Sequence, residues 1–317
     1  MLPISSSHYE RHSGPSPAAG RNAADPLELV KLPPLMKHTS GRAGTTIALI
    51  DGPVATNHED LSDTDIREIP GRLGGTCARA DSVACMHGTF VAGILCAKRS
   101  SAAPAICPGC TLLVRPIFAE TGSGDRDMPS ATPEELSTAI IDCVDAGASV
   151  INLSAALAQP SAKGERRLEE ALDHSAKRGV IVVAAAGNQG TVGSTAITRH
   201  PWVIPVVACD LLGRPIGYSN FGNSIGRRGL SAPGHGITSL GTNGKSPTFG
   251  GTSAAAPFVT GAIALLLSIF PSATAVELKI AIHGSRVTRR PSVVPPLLNA
   301  WEAYQFMATT HTAKRVS

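Results

Sequence analysis

From Thr45 to about His283, short apolar runs alternate with segments of helical length and period, and this alternation restricts the possible folds more than any other feature. Residues 46–50, 112–117, 150–153, 180–186 and 203–208 are apolar, four to seven residues long and bounded by turn formers, so they are predicted strands. Residues 87–98, 133–146, 165–178, 252–270 and 273–283 are predicted helices, the second with Pro133 in its first turn. Strands alternating with helices of that length imply an α/β fold with a mostly parallel central sheet covered by helices on both faces. In such sheets ligands bind beyond the carboxyl ends of the strands.

Composition removes several function classes. A chain of 317 residues, 43% hydrophobic and 16% charged, suffices for one large domain with a buried core, which excludes a disordered chain or a coiled coil. Its net charge of +4 is scattered, and the one basic run, Arg286, Arg289 and Arg290, reads as a solvated turn, so no nucleic-acid partner is expected. No uninterrupted apolar run approaches the length of a membrane span, and no membrane partner is expected. The first residues lack a charged segment followed by an apolar one, so the expected location is cytoplasmic. The seven cysteines are odd in number, which argues against a full disulfide framework and for buried thiols, although Cys77 and Cys85 could close a small loop in an oxidising environment. Cys107-Pro108-Gly109-Cys110 lacks a second ligand pair at zinc spacing and reads as a turn. The expected layout is a flexible arm over 1–26, a lead-in segment over 27–44, one domain over 45–305 and a tail over 306–317.

Three polar residues stand at strand ends or helix starts. Asp51 ends the run 46–50, His87 opens the segment His87-Gly88-Thr89-Phe90, and Ser253 follows Gly250-Gly251-Thr252 at the start of a long apolar helix. A hydroxyl is a poor nucleophile by itself; an imidazole can take its proton, and a carboxylate can fix the imidazole's tautomer and steady its charged form. Asn188, after the apolar run 180–186 and Gly187, could donate its side-chain N–H to a developing oxyanion beside the Ser253 backbone N–H; its bland alternative is a turn cap. The other histidines, His58, His174, His200, His235 and His283, read as surface or satisfied core residues.

Taken in order, Ile47 to Asp51 (IALID), His87 to Gly93 (HGTFVAG), Ile151 to Ser154 (INLS), Ala185 to Asn188 (AAGN), Ser219 to Gly222 (SNFG), Ser231 to Gly234 (SAPG) and Gly251 to Pro257 (GTSAAAP) resemble the motifs of the subtilases, the subtilisin-like serine peptidases. The resemblance covers residues 45–300 and implies a three-layer subtilisin-like fold, Asp51, His87 and Ser253 as the catalytic triad and Asn188 in the oxyanion hole. It also implies a peptide or protein substrate held by Ser154, Ala155 and Ala156, with Ala185 and Gly187 nearby. Many subtilases use calcium, but the sequence shows no dense Asp/Asn loop with alternating ligands, so neither a metal nor another cofactor is expected.

A narrower resemblance, carried by Leu49 to Val54, Asn57 to Leu61, Val114 to Phe118 and the segment Leu27 to Thr39, is to subtilases that mature ribosomally made peptides of the cyanobactin type. The macrocyclising members have a helical insertion near the cleft, and the 35 residues between Asp51 and His87 leave little room for one, so hydrolysis is expected. A ligase or macrocyclase using the same acyl-enzyme, and a non-catalytic peptide-binding module, stay open as alternatives. The chain departs from the family pattern in three places: Gly52 follows the aspartate in place of threonine or serine, Phe90 replaces a second histidine, and alanines replace the glycines after Ser154. With about 44 residues before the first strand, no folded inhibitory prodomain is expected there. The acidic loop 120–127 is either a solvated loop or a flank of the substrate groove favouring basic side chains.

Overall fold

The computed structural model describes residues 4–5, 25–120, 130–157, 165–284 and 292–316. The loop from residue 121 to 127 and the basic run from 286 to 290 lie outside these.

Seven strands form the central sheet: β1 (Thr46–Asp51), β2 (Ile66–Glu68), β3 (Thr111–Pro116), β4 (Val150–Leu153), β5 (Ile181–Ala185), β6 (Val203–Cys209) and β7 (Leu230–Pro233). Their spatial order is β2-β3-β1-β4-β5-β6-β7, and every neighbouring pair is parallel. The chain therefore starts in the interior of the sheet, passes to the edge strand β2, fills the gap with β3, and then crosses to β1's other side to build the rest. The carboxyl end of β1 is thus a topological switch point, where connections diverge and leave a crevice.

Alternation along β1 assigns its side chains to two separate cores. Ile47 and Leu49 join the larger cluster, with α1 (Val83–Cys96), α4 (Thr252–Ile269) and α5 (Ala275–His283). Ala48 and Ile50 join the other, with α2 (Pro133–Asp145) and α3 (Arg166–Lys177). The same division recurs in β5, whose Ile181 and Val183 enter the first cluster and Val182 and Ala184 the second. A strand buried on both faces must be apolar throughout, which is why these runs show no polar face. The result is the expected three-layer α/β sandwich.

Several sequence expectations need correction. Helix α1 begins at Val83 rather than His87: Ser82 is the extended residue before it, and Val83, Ala84 and Cys85 are already buried, so the first turn precedes the histidine. Helix α4 is 18 residues long with mean hydropathy 1.7, apolar enough to cross a membrane, but 83% of it is buried against the sheet and its neighbours. The lead-in is part of the fold: it forms helices Pro26–Leu29 and Leu32–His38, and Val30, Leu32 and Leu35 are fully buried. The boundary at 305 falls inside α6 (Ala300–Val316), whose Met307 is fully buried, so the segment read as a tail continues a helix. His38 stacks on Trp301 and Tyr304 at centroid distances of 5.6 and 4.8 Å, joining the lead-in to α6. Within the arm, Ile4–Ser5 pairs antiparallel with Ala156–Leu157. Cys77 and Cys85 are joined in a disulfide, and the other five cysteines are free and buried.

Candidate active site

Asp51 is the last residue of β1 and is fully buried at the switch point. Its Oδ1 accepts the Gly52 N–H at 2.6 Å and faces His87 Nδ1 at 2.6 Å. Because a carboxylate can only accept, Nδ1 carries the proton, and Nε2 is left with its lone pair. Nε2 lies 3.0 Å from Ser253 Oγ. Three residues separated by 36 and 166 positions in the chain thus form one continuous hydrogen-bonded relay. Asp51 Oδ2 is buried without a protein partner, so the carboxylate's hydrogen bonding is concentrated on the oxygen facing the imidazole.

The close approach depends on absent side chains. A Cβ on Gly52 would stand 2.1 Å from the Ala84 carbonyl oxygen, and one on Gly88 would stand 2.4 Å from the carbonyl oxygens of Gly52 and Pro53. Helix α1 therefore sits directly on the turn leaving β1. Glycine after the aspartate, a departure from the family pattern, is what the steric contact with α1 requires here. Phe90, one turn along α1 from His87, is a packing residue, with its ring 4.9 Å from that of Phe249.

Ser253 is the second residue of α4, where backbone N–H groups have no intrahelical acceptor and the helix dipole is positive. Gly251, at φ 127°, turns the chain into the helix in a conformation that L side chains rarely adopt. A Cβ there would stand 2.7 Å from Asn188 Nδ2 and 3.6 Å from Ser253 Oγ, so glycine also leaves space for these groups to share one corner. Asn188 Oδ1 accepts the Thr252 N–H at 2.9 Å, which fixes the carboxamide and turns its NH₂ toward the serine side. Thr252 contributes a second tie, its Oγ1 accepting the Gly187 N–H at 3.1 Å. Gly187 itself has φ 101°, and its carbonyl accepts the Asn220 N–H at 2.8 Å.

The five residues expected to hold substrate occupy the same edge but differ in what they offer. Ala185 ends β5 and is buried, with Gly187 two residues beyond it. Ser154 and Ala155 are also buried. The Ser154 hydroxyl accepts from Asn152 Nδ2 at 2.7 Å and donates to the Ser253 carbonyl at 3.3 Å, so it supports the serine's backbone. Thr260 completes this chain by donating to Asn152 Oδ1 at 2.8 Å. Ala156 lies in the short edge strand paired with Ile4–Ser5.

Asn152, Thr252 and Thr260 receive no individual role from the sequence, because polar residues in apolar runs carry only a weak signal there. The weak signal is that Asn152 and Thr260 each stand among apolar neighbours, and both are fully buried, so each needs a partner. The remaining histidines find local ones. His58 Nδ1 accepts the Asp60 N–H, His174 and His200 face Asp145 and Asp173, and His283 bonds two carbonyls.

The sequence model of the Subtilase family matches residues 42–293. A thermophilic serine proteinase of Bacillus sp. (strain AK1) is 34% identical over 240 residues, 73% of this chain and 54% of that protein, so the chain spans little more than half that relative's length. Subtilisin NAT of Bacillus subtilis subsp. natto is 29% identical over 82% of this chain and 65% of its own. Among solved structures, the protease domain of PatA superposes with a TM-score of 0.78 at 29% identity, covering 85% of this chain and 97% of that one.

Proposed function

The chain belongs to the subtilase family, and from that premise we propose that it is a serine endopeptidase acting through an acyl-enzyme on Ser253. One observation carries this reading: the unbroken relay from Asp51 Oδ1 through His87 to Ser253 Oγ, at 2.6 and 3.0 Å. A binding scaffold has no use for a proton path to a hydroxyl.

In the proposed reaction, Ser253 Oγ attacks the scissile carbonyl carbon as its proton passes to His87 Nε2. The carbonyl electron pair moves onto oxygen, where the Asn188 NH₂ and the free Ser253 N–H stabilise it. Collapse of this intermediate breaks the C–N bond, and His87 returns its proton to the departing amine. Water then gives a proton to Nε2 as it adds to the ester carbon, and collapse breaks the C–Oγ bond, with Nε2 returning that proton to Ser253 Oγ and the acid leaving. Asp51 stays ionised throughout and stabilises the imidazolium.

An extended peptide is the substrate that suits this edge. Ala156–Leu157 pairs antiparallel with Ile4–Ser5, so its backbone is able to accept an added strand. We further propose that the substrate is a ribosomally made precursor peptide cut during maturation. Support comes from the likeness at 29% identity to a solved protein whose name describes it as prenylagaramide maturation protease PagA, over 87% of this chain.

Labelling with a fluorophosphonate tests the chemistry. Wild type is expected to label at Ser253 and the Ser253→Ala variant not at all, with turnover reduced by about the million-fold that loss of the nucleophile causes in subtilisin itself. Equal hydrolysis of a peptide library by both would end the proposal. Mass spectra of the products then distinguish linear acids from macrocycles.

A further inference from the structure

A cluster of metal-ligating side chains lies outside the catalytic relay, where the chain approaches α1. Cys77 and Cys85 bracket a short loop, with Cα atoms 5.6 Å apart and their sulfurs joined. Glu120 stands beside them, and the two sulfurs and a Glu120 carboxylate oxygen all lie within 4.8 Å of one another. The carboxylate is fixed to that same loop, accepting the Arg79 N–H at 2.8 Å and the Ala78 N–H at 3.1 Å. The Arg79 side chain turns instead to Asp81, at 3.7 Å, so it does not neutralise Glu120. Cys85 is buried in the first turn of α1, whereas Cys77 sits partly exposed in the loop, its sulfur 3.9 Å from Thr89 Oγ1.

We propose that, once the Cys77–Cys85 bond is reduced, Cys77, Cys85 and Glu120 form a binding site for Zn²⁺. Reduction is a two-electron exchange: a dithiol donates two electrons and two protons, becomes a disulfide, and leaves two thiols on the protein. Zn²⁺ then displaces both thiol protons and is held by two thiolates and one carboxylate. Two thiolates select zinc over calcium or magnesium, which prefer all-oxygen sites. At Zn–S bonds of about 2.3 Å in tetrahedral geometry the sulfurs stand about 3.8 Å apart, a separation that fits the existing cluster once the Cys77 sulfur swings aside. Bound zinc then ties the loop to the first turn of the His87 helix in place of the covalent bond.

The competing thiols are Cys96 and Cys110, each of which contacts Cys107 in the core; among the described residues the three sulfurs do not all lie within 4.8 Å of one another, as the Cys77, Cys85 and Glu120 ligand atoms do. Hydrogen bonding to Cys110 and Cys96, together with burial, pushes the Cys107 thiol above the ordinary range, while the bond to Cys107 pushes Cys110 below it.

The test uses the full chain, reduced anaerobically with a phosphine, with Zn²⁺ titrated against a chromophoric chelator and Co²⁺ as a spectroscopic substitute. Reduced wild type should take up one Zn²⁺ that oxidised wild type does not, and Co²⁺ should give a near-ultraviolet charge-transfer band of two-thiolate intensity. Cys77→Ser should lose the band, and both Cys77→Ser and Glu120→Gln should weaken Zn²⁺ binding at least tenfold. Equal uptake by reduced wild type and Cys77→Ser overturns the proposal and assigns the metal to the buried thiols. Should Cys77→Ser fail to fold, Glu120→Gln decides, because it keeps both sulfurs: unchanged Zn²⁺ affinity there overturns the site.

Discussion

Pro257 lies four residues beyond Ser253 in α4 and has no N–H to donate to the Ser253 carbonyl, which instead accepts from the Ser154 hydroxyl at 3.3 Å. The proline breaks one helical bond, and a side chain from the neighbouring strand end supplies another. The nucleophile's backbone is thereby tied to the sheet and not only to its own helix.

Ser154→Ala should therefore destabilise the protein by about 1–3 kcal/mol, because it orphans the buried Ser253 carbonyl and removes the acceptor of Asn152 Nδ2. Restoring a helical N–H with Pro257→Ala should make the Ser154→Ala loss smaller. A double-mutant cycle read by urea denaturation measures this coupling, and strictly additive effects would contradict it.

Gly52→Ala and Gly88→Ala each place a Cβ within 2.4 Å of backbone carbonyl oxygens. No side-chain rotation relieves a clash with backbone, so α1 must shift from the end of β1. A displacement near 1 Å should lower kcat about 100-fold, alongside about 1–3 kcal/mol of stability. Wild-type kcat in either variant would show that the Asp51–His87 distance does not depend on this contact.

Asn188→Ala should lower kcat about 100- to 1,000-fold with little change in KM, the size of effect that removing this type of donor has in subtilisin. Asn188→Asp keeps an acceptor for the Thr252 N–H but presents negative charge to the oxyanion, so its kcat should fall further. Steady-state kinetics on one peptide substrate separates the two. A variant order with aspartate the more active would argue against an oxyanion role.

Lys279 offers a pH test away from the active site. Burial, then the nearby Arg228, push its ammonium from 10.5 down to about 8, although Nζ donates to the Trp202 carbonyl at 2.6 Å and sits over that ring. Between about pH 8 and 10.5 the folded chain has shed this proton while the unfolded chain keeps it. The unfolded state binds more protons there, so this contribution becomes more favourable as pH rises. Wild type should gain stability relative to Lys279→Met between pH 7.5 and 10, measured by urea midpoints; a constant difference would refute the shift.

Two edge strands escaped sequence reading for a physical reason. Ile66–Glu68 is short, largely exposed and paired on one side, so it has no apolar run, and Leu230–Pro233 is a short edge strand ending in proline. The interior strands, buried on both faces, were legible because burial had imposed apolar residues on most positions, Arg115 and Asn152 being among the buried exceptions. Helix α1 was legible except for its first turn, which is defined by packing and by Cys85's link to Cys77, not by a side-chain cap.

The order of elements, the three layers and the placement of an acid, an imidazole and a hydroxyl at strand ends and helix starts follow from local pattern, because periodicity and turn chemistry act over a few residues. The distances among those groups, the pairing of Cys77 with Cys85, the Asn188 carboxamide's orientation and the Ser154 bond to Ser253 were decided only in three dimensions. Each joins residues remote in the chain or orients one side chain against another element. Whether such groups meet depends on how closely whole elements pack, and at Gly52, Gly88 and Gly251 that closeness is set by the space a missing Cβ leaves.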